Sequence, residues 1–154
     1  MRREERAGDT TTPSTAGYSG TPLARKLGLV RGQVAALLGV PKMIEDINGF
    51  DGFASVVHAL PEMPQRVFDY VHLFATERAA LEAVAPALFR ALRPDGMIWI
   101  SWPKKSSRMP TDITEDVLRE ILLPTGLVDV KVCAVDEVWS GLKFVIRKEL
   151  RGAL

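Results

Sequence analysis

A chain of 154 residues, 47% hydrophobic and 25% charged, is long enough to bury one core and has the composition of an ordinary globular domain. Its net charge of +1 provides no global field to recruit nucleic acid or anionic lipid. The single cysteine, Cys133, excludes an internal disulfide and a multi-cysteine zinc site.

Residues 1–20 are charged and then rich in Thr, Ser, Gly and Pro, so a flexible tail is expected before a single domain over 21–150. That tail has no apolar core of the secretory type, and no apolar run approaches the roughly 20 residues of a membrane-spanning helix. The expected setting is therefore the reducing cytoplasm. "TPLARKLGL" predicts a short helix with Thr21 as its cap, Pro22 at the first position and Gly28 at the end. "QVAALLG" predicts a buried strand. "FDGFASVVHAL" places Phe53, Val56, Val57 and Leu60 at helical spacing.

"RVFDYVHLFA" is rich in Val, Phe and Tyr and predicts a strand. The following segment predicts an amphipathic helix capped by Thr76, with Leu81, Val84, Ala85, Leu88 and Leu92 on one face and Pro86 bending it. "RPDG" predicts a turn and "MIWISW" another buried strand. Asp112, with Glu115 three residues on, has the spacing of a capping box opening a helix that Gly126 ends. "LVDVKVCAV" alternates, putting Val128, Val130, Val132 and Ala134 on one face. "SGLKFVIRK" groups Leu142, Phe144 and Ile146, and "DEVWSG" joins these two strands as a hairpin loop.

Three strand–helix alternations followed by a hairpin predict a single α/β domain. About five strands are expected, four of them parallel and the last antiparallel, with helices on both faces. "FDYVHLF", "LFRALRPDGMIWISW" and the final hairpin resemble the C-terminal half of a Rossmann-like methyltransferase. "GYSGTPLARKLG", "SWPKK", "TDITEDV" and "GLVDVKVCAVDEVWSGLKFVIRK" further resemble a family of small bacterial proteins with that outline and no assigned activity.

The resemblance implies adenosylmethionine on a Gly-rich turn after the first strand and an acidic residue ending the second. This chain has Gly39-Val40-Pro41-Lys42 at that turn, where Val40 and Pro41 oppose close backbone approach to a cofactor. The space before Val67 suits about one helix. The cofactor's ribose half is thus expected to be missing, and no cofactor, metal or catalytic residue is assigned. The first strand is then a bare edge, which invites a weak homodimer.

Ligands of open α/β sheets bind beyond the carboxyl ends of the parallel strands. "SWPKKSSRMPTD", residues 101–112, and the hairpin loop both fall there. The resemblance implies that the last strand lies between the third and fourth, and Trp102 and Trp139 should then touch, with Lys104 near Asp136 or Glu137. One reading is a pocket with Lys104 and Lys105 as point charges, Trp102 and Trp139 as flat walls, Ser140 or Ser106 as donors, and Asp136 and Glu137 at the rim. The other is a structural brace with the lysines neutralised.

Asp112 is better explained as a cap than as a base. His58 and His72 lie in apolar segments without metal spacing, so both are expected to pack in the core. Cys133 is expected to be a buried structural thiol, and Asp69 either approaches the cleft or bonds a backbone amide. The functional expectation is a non-catalytic methyltransferase-like module binding a partner protein or a small anionic ligand. Two alternatives are a divergent adenosylmethionine-dependent transferase and a nucleic-acid accessory protein using Lys104, Lys105 and Arg108, although the balanced charge makes nucleic acid the weaker candidate.

Overall fold

The expected apolar runs form strands of one sheet in the computed structural model, which describes residues 22–154. The proposed tail and the Thr21 cap lie outside these residues. Strands β1 (Val34–Leu38), β2 (Ser55–Val57), β3 (Phe68–Phe74), β4 (Leu92–Pro103), β5 (Leu127–Ala134) and β6 (Trp139–Ile146) lie in the order β2-β1-β3-β4-β6-β5. β1 to β4 run parallel, and β6 is antiparallel to both β4 and β5. β5 therefore points the same way as β1 to β4, and the final strand inserts between the third and fourth expected strands. The architecture is the anticipated mostly parallel α/β sheet with an antiparallel hairpin strand, and it holds one strand more than expected.

That strand is β2. Ser55, Val56 and Val57 pair with Val34, Ala35 and Ala36, where helical spacing predicted a helix. Apolar positions i, i+3, i+4 and i+7 fit a helix, but Gly52 leaves the segment short, and β1 offers an open ladder next to it. β1 is consequently an interior strand. The bare edge expected at β1 is replaced by a three-residue strand whose residues are all exposed.

Helices α1 (Leu23–Leu27) and α2 (Glu45–Asn48) lie on one face. Their Leu23, Leu27 and Ile47 join Ala35, Leu37, Tyr70, Phe74, Trp99, Cys133 and Trp139 in one buried cluster. Gly28 ends α1 in the left-handed conformation, as expected. The other face carries α3 (Arg78–Ala91) and α4 (Glu115–Leu122). There Leu81, Leu88, Leu118 and Leu122 pack on Val71, Ile98, Ile100, Leu142 and Phe144. The crossover from β2 to β3, residues 58–67, has no helix, and its Leu60 packs against this second cluster. Among the described residues, a flank of α3 is thereby left without a helical neighbour.

Several local expectations change. α3 starts after Glu77, not Thr76. Thr114, not Asp112, caps α4, its side chain accepting from the Val117 N–H at 3.2 Å. "RPDG" lies within β4, as an irregularity between the Phe68–Leu92 and Tyr70–Met97 pairs. A short helix α5 (Lys148–Arg151) follows β6 where the strand was expected to continue. In β5 the alternation does not produce a buried valine face: Val130 and Val132 are 52% and 53% exposed. β5 is an edge strand, and a bulge between Asp129 and Lys131 breaks the period.

Candidate functional site

The carboxyl ends of β1, β2 and β3 converge on a cavity of about 440 Å³. It lies where the sheet order turns back, β1 going to β2 on one side and β3 to β4 on the other, the usual ligand position in open α/β sheets. Leu38 and Gly39 come from β1 and its turn, and His58, Ala59 and Leu60 from the segment after β2. Leu73 to Thr76 end β3, and Glu77, Ala80, Leu81 and Val84 belong to the start of α3. The walls are mostly apolar. Among the described residues that line it, Glu77 is the one carboxylate and none is Lys or Arg.

Gly39 has φ of +73°, and a Cβ there would lie 3.3 Å from the Phe74 carbonyl oxygen. The tight turn therefore depends on a glycine. Val40 and Pro41 follow it at once, so the loop offers no second glycine for close approach. His58 follows the second strand, where the resemblance implies an acidic residue. It is exposed, not core, with Nδ1 3.3 Å from the Leu37 carbonyl oxygen. An adenosylmethionine ribose would meet an imidazole in place of a carboxylate acceptor, so these residues do not fit that cofactor.

The mouth of this cavity is tied down from below. Thr111 Oγ1 donates to the Thr76 carbonyl at 2.7 Å and accepts from the Ile113 N–H at 3.0 Å. Asp112 Oδ1 accepts from the Arg78 N–H at 2.7 Å. "TDIT" thus clamps the first turn of α3.

None of the eight residues named from sequence for that pocket lines this cavity. Trp102 and Trp139 are not in contact: they belong to clusters on opposite faces of the sheet. The register explains why. Trp102 pairs with Ser140 and Pro103 with Trp139, and successive strand residues point to opposite faces. Trp139 packs edge-on against Phe74, ring centroids 5.1 Å apart.

The hairpin and the "SWPKK" turn do meet, through backbone. The Lys104 N–H donates to the Val138 carbonyl at 2.7 Å. Lys104, however, forms no ion pair with Asp136 or Glu137 among the described residues. Asp136 Oδ1 instead accepts from the Val138 and Trp139 N–H groups, both at 2.8 Å, a local turn bond that competes with any salt bridge. Lys105 starts a short 3-10 turn, Lys105–Ser107, and is exposed, as is Glu137; Ser140 is half-buried within β6. Asp69 bonds a backbone amide, accepting from the Val34 N–H at 2.8 Å at the opposite edge of the sheet.

A buried polar chain lies beside the cavity wall. Tyr70 Oη is 2.9 Å from His72 Nδ1, and His72 Nε2 is 2.7 Å from Ser101 Oγ. All three residues are fully buried. His72 stacks on Phe74 at 4.6 Å. Desolvation lowers its pKa to about 3, so the imidazole is neutral, donating from one nitrogen and accepting at the other. Burial raises the Tyr70 and Cys133 pKa values. Cys133 thus stays a thiol, consistent with a structural role. Both hydroxyls and the imidazole are satisfied, so the chain packs as part of the core.

No protein-family model matches the sequence, and no curated protein matches it. Solved structures do match the fold. One is a SAM-dependent methyltransferase from Aquifex aeolicus, 16% identical, with a TM-score of 0.59 over 80% of this chain and 87% of that one. A second is the Burkholderia thailandensis 1,6-didemethyltoxoflavin-N1-methyltransferase with S-adenosylhomocysteine bound, 17% identical, TM-score 0.58, covering 80% and 74% of the two chains. A TehB-like SAM-dependent methyltransferase from Corynebacterium glutamicum is 16% identical, TM-score 0.51, covering 86% and 91%. The six-stranded sheet, its order and its antiparallel sixth strand together constitute a methyltransferase-like Rossmann fold.

Proposed function

We propose that this chain is a methyltransferase-like module that holds a small, largely apolar ligand at the carboxyl edge of its sheet and performs no methyl transfer. The carrying observation is the 440 Å³ cavity, within the usual size range of small-molecule sites. It keeps the position of a ligand site in this fold while its polar groups differ from those adenosylmethionine needs. Val40-Pro41 supports that reading at the turn, and His58 supports it after β2.

Adenosylmethionine is expected to bind more weakly than about 1 mM, or roughly 4 kcal/mol. Calorimetry giving saturable micromolar binding would replace this reading with a divergent transferase. Mass spectrometry of small molecules released from purified native protein tests the positive half. A co-purifying molecule lost on Ala80→Trp, which fills the cavity from an exposed helix position, is the expected result.

A second reading concerns Lys104, Lys105 and Arg108. None forms an ion pair among the described residues, which favours an anionic partner at the "SWPKK" turn over a charge-neutral brace. Association through them should weaken steeply with salt, and Lys104→Ala with Lys105→Ala should remove it.

A further inference from the structure

The uncovered flank of α3 carries a second cavity of about 340 Å³, lined by Leu60, Pro61, Glu62, Ala83, Val84, Pro86, Ala87 and Arg90. It shares Leu60 and Val84 with the edge cavity, so the two adjoin along one side of the helix. From Glu77 to Arg90 the helix rises on the order of 20 Å. The groove exists because residues 58–67 cross from β2 to β3 without a helix.

Its two ends differ in charge. The edge-cavity end carries Glu77 and, among the described residues, no cation. The other end is lined by Arg90, whose guanidinium makes no ion pair among the described residues. A guanidinium lining an apolar groove without an ion-pair partner is best matched by a charged acceptor. Glu62 lines the same cavity but is exposed and does not take that role. Arg66 adds a nearby cation, its Nη1 donating to the Phe89 and Leu92 carbonyls at 2.8 and 2.7 Å.

We propose that this groove binds a long-chain carboxylate, its headgroup on Arg90 and its alkyl tail running past Val84 into the edge cavity. The inference rests on the edge cavity being a ligand site and adds the ligand class and its direction. A carboxylate matches a guanidinium in charge and planar geometry, and a tail suits walls of Leu, Val, Ala and Pro. The reverse orientation would set the headgroup against Glu77 with no cation among the described lining residues, whereas at this end Arg90 offsets Glu62.

The test uses the full chain and three probes of equal length, dodecanoate, dodecylammonium and dodecanol, below micelle-forming concentration. Calorimetry should show saturable dodecanoate binding at least about tenfold tighter than dodecylammonium, by the value of a charge-assisted bond. Arg90→Gln should abolish that preference and leave dodecanol unchanged. Ala83→Glu, introduced at an exposed lining position, should weaken dodecanoate alone, which keeps the test valid if Arg90→Gln unfolds the protein. Dodecanol binding with no headgroup preference would overturn the role of Arg90 and leave the edge cavity standing. If none of the three binds, the long-chain ligand is excluded, and the edge-cavity reading is then decided by the molecules released from native protein.

Discussion

Asp112 Oδ1 lies 2.7 Å from the backbone nitrogen of Arg78, so a carboxylate three residues before α4 caps the helix that precedes it in the chain. The first turn of α3 has unpaired N–H groups, and no local side chain caps them. Asp112→Ala is expected to destabilise the fold by about 1 kcal/mol, within the usual range for a lost cap. Asp112→Asn, which keeps the acceptor, should cost less. Urea denaturation of the two variants measures the difference; equal and negligible losses would show that the bond does not cap α3.

His72 predicts an acid-sensitive stability. Its folded pKa, about 3, lies below its ordinary value of 6.5. The unfolded chain therefore binds the proton first, and stability is full above pH 6.5. It falls as pH drops towards 3, by at most about 1.4 kcal/mol per pH unit. Melting temperatures at pH 7 and pH 4.5 measure the slope. His72→Gln should flatten it over this window, and an unchanged slope would assign the acid sensitivity to other groups.

Gly39→Ala is expected to destabilise by about 1 to 2 kcal/mol, the cost of a left-handed conformation for a residue with a Cβ. The added atom would also crowd the Phe74 carbonyl at 3.3 Å. A denaturation midpoint equal to the native one would mean that the turn relaxes freely.

Both edges of the sheet are blunted. β2 is three residues long, and β5 has a bulge beside Lys131, two common guards against edge pairing. Light scattering is expected to give the monomer mass of 17.0 kDa. A concentration-dependent doubling would point to exposed Val130 and Val132 as the contact, and Val132→Lys should then reverse it.

The interior strands were legible because they are long and their apolar residues have no competing period: Val34–Leu38, Phe68–Phe74 and Trp139–Ile146 appear close to where expected. Ser55–Val57 was not, since three exposed residues carry no period and Phe53, Val56, Val57 and Leu60 also satisfy a helix. The order placing β6 between β4 and β5 was legible by resemblance, but its register was not. A shift of one residue decides whether Trp139 shares a face with Trp102, and sequence does not fix that shift. Asp112 had correct cap chemistry, yet only tertiary structure selects which helix receives it. The groove beside Arg90 left no signal in sequence, because it depends on a crossover that lacks a helix.

The placement of β6 orders events during synthesis. β4 and β5 are made before it, yet neither pairs with the other; each waits for Trp139–Ile146. A nascent chain halted before Trp139 would hold β4 with one edge open and β5 with no ladder at all. Its apolar Ile98, Ile100 and Trp102 would then be partly uncovered on the ribosome. Completion of the sheet is therefore a late, nearly all-or-none step, and nonsense mutations just upstream of β6 should yield chains that aggregate or are degraded.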